Sequence, residues 1–166
     1  MAIDGERVIL RPLRPDDAAP LAAAGAHPEV ARWWPGITEE ELVAKAEGRD
    51  DVEAFAIEHE GEPIGLAQAW ENPDPEFRYA NVDIFLDARF HGRGLGRDAV
   101  RALAGWLCRE RGHHRLTIDP ALDNERAIRC YEAVGFRRVG VLRRYWRDQG
   151  GVWRDGLLLD LLADEL

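Results

Sequence analysis

No stretch of this sequence approaches the ~18 consecutive apolar residues that a membrane-spanning helix requires. Its first residues, Met1 to Glu6, have neither a basic start nor an apolar core, so no secretion signal and no membrane partner are expected. Cysteine is scarce. Cys108 and Cys130 are the only two and form no Cys-x-x-Cys pair, which argues against a disulfide framework and predicts buried thiols in a reducing cytoplasm. His113 and His114 lack a partner at metal-ligand spacing, so no metal site is expected. Positive charge is short as well: 22 Lys and Arg against 31 Asp and Glu leave a net charge of −9. That balance removes the basic footprint of a nucleic-acid binder and favours cationic ligands instead. Repeats, low-complexity tracts and Ser/His/Asp or Cys/His constellations are absent, so no covalent enzyme intermediate is expected. What remains is 46% hydrophobic and 32% charged over 166 residues, which suits one domain, residues 1–166, with one core.

The chain is organised around Asn81 to Arg97. Val82, Ile84 and Leu86 alternate with Asp83 and Phe85, a strand pattern that places a lone carboxylate in an otherwise apolar strand. His91-Gly92-Arg93-Gly94-Leu95-Gly96-Arg97 follows, and then Leu95, Ala99, Ala102, Leu103 and Trp106 recur at helical spacing. A strand, a glycine-rich turn and a helix start form an anion site: free N–H groups and the positive end of the helix dipole face the ligand. Two phosphate motifs do not fit. A Walker A loop ends in Gly-Lys-Ser/Thr where this chain has Gly-Arg-Asp, and Gly92, Gly94 and Gly96 lack the Gly-x-Gly-x-x-Gly spacing of a dinucleotide fold. A pyrophosphate whose ligand lies along the preceding strand is the reading that fits.

Taken in order, Arg7 to Arg11 reads as a strand, and Asp16 or Asp17 can cap a helix over the Ala-rich stretch that ends near Gly25. A short helix or turn from His27 stops at Pro35. Thr38 and Glu41 have the capping-box form, so a helix is expected from about Glu39 to Glu47. Ala54–Glu60 and Pro63–Trp70 form a hairpin, Glu71 to Glu76 a loop, and Phe77–Asp87 the central strand. A helix from about Gly94 to Arg111, a strand over Arg115–Asp119 and a helix over Asn124–Val134 with Gly135 as its left-handed cap come next. Strands Phe136–Tyr145 and Val152–Leu162 close the chain. The expected class is mixed α/β, with helices on both faces of a mixed sheet.

The loop from His91 to Gly96 resembles the acetyl-CoA pyrophosphate loop of the GNAT N-acetyltransferases, usually Gln/Arg-x-x-Gly-x-Gly/Ala. His91 stands at its first position, a departure that weakens one phosphate contact and leaves the backbone ones. Asp119-Pro120 and the run Asn124 to Phe136 resemble the second half of the same signature. With Ala31-Arg32-Trp33-Trp34 and Gly61 to Gly65 they are most similar to the aminoglycoside 6′-N-acetyltransferases.

The resemblance implies a central, mostly antiparallel mixed sheet and acetyl-CoA as co-substrate. It implies direct acetyl transfer to a primary amine. Ile84, Phe85, Leu86, His91, Gly92, Arg93, Gly94, Leu95, Gly96, Arg97, Asn124 and Ala127 are then the cofactor-binding residues. Asp83 would bind the ammonium and accept its proton, directly or through water, and Tyr131 would act as general acid, donating to the thioester oxygen or the leaving sulfur. Trp33, Trp34, Asp83 and Asp119 would hold the acceptor, aromatic faces suiting sugars and ammonium groups.

Each residue has a purely structural alternative: Asp83 satisfied by backbone or an arginine, Tyr131 packed in the core, Asp119 starting a turn, and the tryptophans in the core with at most one facing ligand. The acidic runs at Glu39–Glu41 and Glu71–Glu76 read better as solvated faces than as cleft walls. The expected partner is a small polycationic amine, probed by a monomer or homodimer in the cytoplasm, with resistance to an antibiotic as the outcome. A protein N-terminus, a polyamine or a siderophore precursor is the alternative acceptor, and a non-catalytic acetyl-CoA-binding module the alternative class.

Overall fold

In the computed structural model, which describes residues 1–166, the strands form one eight-stranded sheet. They are β1 (Ile3–Asp4), β2 (Ile9–Pro12), β3 (Glu53–His59), β4 (Glu62–Glu71), β5 (Ala80–Leu86), β6 (Arg115–Ile118), β7 (Arg137–Arg147) and β8 (Trp153–Leu162). The helices are α1 (Ala18–Gly25), α2 (Pro28–Ala31), α3 (Glu39–Ala46), α4 (Leu95–Arg109) and α5 (Glu125–Glu132). The sheet order is β1-β2-β3-β4-β5-β6-β8-β7, antiparallel throughout except for β5 beside β6. This is the mixed, mostly antiparallel sheet with helices on both faces that the sequence implied.

The alternation in β5 sorts its side chains between two cores. Val82 and Leu86 pack with Leu95, Leu103 and Ile128 from α4 and α5, whereas Phe85 packs with Leu21, Val30 and Leu42 from α1, α2 and α3. Fully buried leucines such as Leu95, Leu103 and Leu107 each contribute about 1.5–3 kcal/mol by leaving water. The Thr38 capping box forms: Thr38 Oγ1 accepts the Glu41 N–H at 3.2 Å, and Glu41 Oε2 accepts the Thr38 N–H at 3.3 Å. No helix is long and apolar enough to cross a membrane.

Three expectations at element ends differ, the first because a distant carboxylate takes backbone donors and the other two through partners near in sequence. The strand expected over Arg7–Arg11 is the second, β2, which follows the unexpected β1 and begins at Ile9 because the N–H groups of Glu6, Arg7 and Val8 donate to the Asp98 carboxylate on α4 at 2.9, 2.7 and 3.0 Å. Neither Asp16 nor Asp17 caps α1. Asp17 has helical dihedrals, accepts the Arg14 N–H at 2.8 Å, and is gripped by the Arg11 guanidinium at 2.7 and 2.8 Å. The central strand begins at Ala80 rather than Phe77, since Phe77 sits in a turn on the Asp74 carbonyl and is 67% exposed.

The feature that makes a site is the β5–β6 contact. It is confined to Ala80↔Leu116 and Asn81↔Thr117. Beyond it, β5 follows β4 as far as Gly65↔Leu86, while β6 follows β8 as far as Ile118↔Leu159. The two half-sheets therefore part after Asn81. One edge of β5 is left without a strand neighbour, and a gap opens in the middle of the sheet.

Candidate active site

Asn81 closes the base of that gap, its amide donating to Thr117 Oγ1 at 3.1 Å and to Asp119 Oδ2 at 2.8 Å. Above it lies a cavity of about 780 Å³, large enough for an extended cofactor and an acceptor together. Asp83, Ile84, Phe85 and Leu86 line one side, and Asp119 and Tyr131 line the other. Residues separated by nearly fifty positions thus face each other because the sheet splits where it does.

Asp83 opens into the cavity from a half-buried position, on the same face as its cross-strand neighbour Gln68, whose Nε2 donates to Asp83 Oδ2 at 3.3 Å. Burial, and secondarily the nearby Asp119 charge, push the Asp83 carboxyl up to about 6, against the Gln68 hydrogen bond and the more remote Lys45 charge. Such a carboxylate is still largely ionised at neutral pH, yet it is a stronger base than a free one. Tyr131 is 7% exposed, and burial first, then the charges of Cys130, Asp83 and Asp119, raise its phenol far above the usual tyrosine range. Its hydroxyl stays protonated and available to donate.

The glycine turn builds the other end. Gly94 is the residue before the first turn of α4, with φ of 78°, a left-handed conformation that a side chain would strain. His91, Gly92, Gly94, Gly96 and Arg97 line the cavity here. His91 Nε2 lies 2.9 Å from the Leu86 carbonyl oxygen, so this nitrogen carries the proton and holds the turn against the end of β5. Leu95 and Arg93 lie outside the cavity: the Leu95 side chain is fully buried in the core, and the Arg93 guanidinium stacks over Phe90 at 5.3 Å. Only their backbone groups remain as anion donors. On α5, Asn124 Oδ1 accepts the Ala127 N–H at 3.3 Å and caps the helix; both residues border the cavity.

Trp33 and Trp34 both reach the cavity wall. Trp34 meets Phe85 edge-on at 5.4 Å, and Trp33 carries Arg32 over its ring at 4.4 Å. The acidic runs do not line the cleft. Glu39, Glu40 and Glu41 are exposed, and Glu71 is bound to Arg111 and to the buried His113, whose Nε2 is 2.6 Å from Glu71 Oε2.

The sequence reading missed two sets of cavity residues. Arg126 and Arg129 on α5 border the same cavity as Arg97, paired with Glu29 at 3.3 Å and Glu125 at 3.1 Å respectively. Their spacing of three positions from each other on one helix was the available signal. Tyr145 and Trp146 reach the cavity from β7, and no local pattern announces that. Taken together, the site has backbone amides and arginines for a pyrophosphate, an unpaired strand edge, a raised carboxylate and a protonated phenol. That set suits acyl transfer between a bound anionic thioester and an amine.

Comparison with known proteins agrees with this chemistry. Residues 7–137 match the model of the acetyltransferase (GNAT) domain. The chain is 31% identical over 157 residues to the aminoglycoside N(6′)-acetyltransferase type 1 of Klebsiella pneumoniae, covering 82% of this chain and 77% of that protein. It is 38% identical over 76 residues to the N-alpha-acetyltransferase RimI of Mycobacterium tuberculosis, 46% of each. Among solved structures, RimJ of Mycobacterium smegmatis with CoA-disulfide superposes with a TM-score of 0.88 at 23% identity, over 100% of this chain and 89% of that one. The aminoglycoside acetyltransferase AAC(6′)-Ib with coenzyme A superposes with a TM-score of 0.78 at 26% identity, over 95% and 96%. Because the domain match takes in both sides of the split sheet and the glycine turn between them, the chain belongs to the GNAT acetyltransferase family, whose members use acetyl-CoA as acetyl donor.

Proposed function

We infer that this acetyltransferase modifies a primary amine of an aminoglycoside, the 6′-amine, by direct transfer, as a single domain acting in the cytoplasm and conferring resistance. The observation that carries the acceptor class is the pair Asp83 and Asp119, both open to one cavity walled by Trp33 and Trp34. Two carboxylates between aromatic faces suit a polycationic sugar. The relative that is 31% identical over most of both chains supports the same acceptor.

Acetyl-CoA supplies the thioester carbonyl. The glycine turn, with Arg97 beside it, holds its pyrophosphate, and the free edge of β5 holds its arm. Asp83 accepts the proton that makes the acceptor amine neutral and passes it to solvent. The nitrogen attacks the carbonyl carbon and the C–N bond forms; the C–S bond then breaks as the tetrahedral intermediate collapses. Tyr131 donates its proton to the departing sulfur, and the second N–H proton, shed by the new amide, returns to the Tyr131 phenolate. The cavity brings both partners into one site, so transfer is effectively intramolecular.

The RimI match, over 46% of the chain, favours a second acceptor, a protein α-amine. Thiol release from acetyl-CoA separates the readings. The panel is kanamycin-type aminoglycosides with and without a free 6′-amine, spermidine, and peptides with free N-termini. Turnover confined to aminoglycosides bearing the 6′-amine is expected. Turnover on peptides or spermidine alone would replace the acceptor and leave the catalytic groups in place. Acetyl-CoA binding without turnover on any amine would favour a binding module.

A further inference from the structure

Strand β7 is interrupted where it passes the cleft. Leu142 pairs with Gly156 and Trp146 with Arg154, so Arg143, Arg144 and Tyr145 all oppose the single residue Asp155. Arg144 takes a left-handed φ of 51°, a conformation that strains a non-glycine residue. Asp155 fixes the bulge. Its Oδ1 accepts the Arg144 N–H at 2.8 Å, and its carbonyl accepts the Trp146 indole N–H at 3.3 Å and the Leu122 N–H at 3.0 Å. Leu157 N–H donates to the Pro120 carbonyl at 2.9 Å, so the same stretch of β8 also anchors the segment that follows Asp119.

Bulges re-aim side chains beside active sites, and this one turns Tyr145 into the cavity. The ring lies against Gly156: a Cβ there would sit 2.8 Å from Tyr145 Cδ1. Tyr145 is 46% exposed; its partial burial and the Asp119 carboxylate beside it push the phenol up to about 12, so its O–H remains a donor at neutral pH.

We propose that Tyr145 is an acceptor-binding, specificity-determining residue of the acetyltransfer site, holding amines that carry a second ammonium or hydroxyl group near the reacting nitrogen. The β7 bulge, Asp155 and Gly156 exist in this reading to place it beside Asp119. Three polar side chains then converge on the acceptor: Asp83 on the reacting amine, and Asp119 with Tyr145 on its neighbouring group. The inference rests on the acceptor cleft assigned above, not on which amine fills it.

The test is steady-state kinetics of Tyr145→Phe on every acceptor of the kanamycin, spermidine and peptide panel that the wild type acetylates. Removing one hydrogen bond to a charged or strongly polar group raises acceptor KM by about tenfold or more. The KM for acetyl-CoA and the thermal midpoint stay as in the wild type, a split that a merely structural tyrosine would not produce. Gly156→Ala, which displaces the ring, raises the same KM, whereas the exposed Arg143→Ala in the same bulge changes nothing. An unchanged acceptor KM in Tyr145→Phe overturns the proposal even if kanamycin is the substrate. Turnover on spermidine alone removes the aminoglycoside assignment while Tyr145→Phe still decides this one. No turnover on any member defeats both.

Discussion

Replacing Asp83 by Asn keeps the volume and the hydrogen bond to Gln68 while removing the proton acceptor. With its carboxyl at about 6, Asp83 is ionised in roughly 97% of molecules at pH 7.5 and in about a tenth at pH 5. Wild-type kcat/KM should therefore fall about tenfold over that range, along a limb centred near pH 6. Loss of a positioned general base costs about 10²–10⁴-fold, and Asp83→Asn should show that loss at pH 7.5 and no limb near 6.

The same substitution has a stability signature of opposite sense. A carboxyl whose folded value lies above its unfolded value of 3.8 penalises the fold increasingly as pH rises from 3.8 to 6, and by a constant amount above 6. The thermal midpoint of Asp83→Asn should accordingly exceed that of the wild type at pH 7.5, and the two should converge toward pH 4. A stopped thiol-release assay and a melting series in matched buffers measure both. Unchanged turnover in Asp83→Asn, or an acid limb near 6 that persists in it, would refute the assignment of the base. A lowered melting point at pH 7.5 would refute the account of why its titration is raised.

Tyr131→Phe should lower kcat by about 10²-fold or more, with acetyl-CoA affinity by calorimetry unchanged, because it removes a donor from a site that keeps its shape. Gly94→Val forces a branched side chain into a φ of 78° and should raise the acetyl-CoA dissociation constant at least tenfold; unaltered calorimetric affinity would remove the turn from the pyrophosphate site. Far from the cleft, the Glu71 carboxyl is held below its ordinary 4.5, burial being outweighed by the His113 hydrogen bond and the Arg111 charge. Its stabilisation is full above 4.5 and is lost as pH falls through the depressed value. Glu71→Gln should thus lower the melting point at pH 7 and shrink the difference from wild type under acid, as followed by circular dichroism.

The cofactor half of the site was legible because it is written in consecutive residues. A strand, three glycines and a helix pattern within Asn81 to Trp106 carry their own geometry, since backbone conformation is a local property. The Thr38–Glu41 cap and the alternation that divides Val82 from Asp83 were legible for the same reason. In two places where expectation and structure diverge, a side chain from another element had intervened: Asp98 takes three backbone donors from the stretch before β2, and Arg11 takes Asp17 from the role of cap.

The acceptor half is different in kind. Residue patterns supplied Asp83, Asp119, Tyr131, Trp33 and Trp34 as separate candidates, and only the family resemblance grouped them into one site. Only the sheet decides that β5 and β6 part after Asn81, and this parting creates the cavity and places Asp83 in the field of Asp119. Only the mismatch of β7 against β8 decides that Tyr145 enters it, because a bulge depends on register between strands and leaves no mark in either strand alone. The chain by itself determined the chemistry available; strand pairing determined which groups meet.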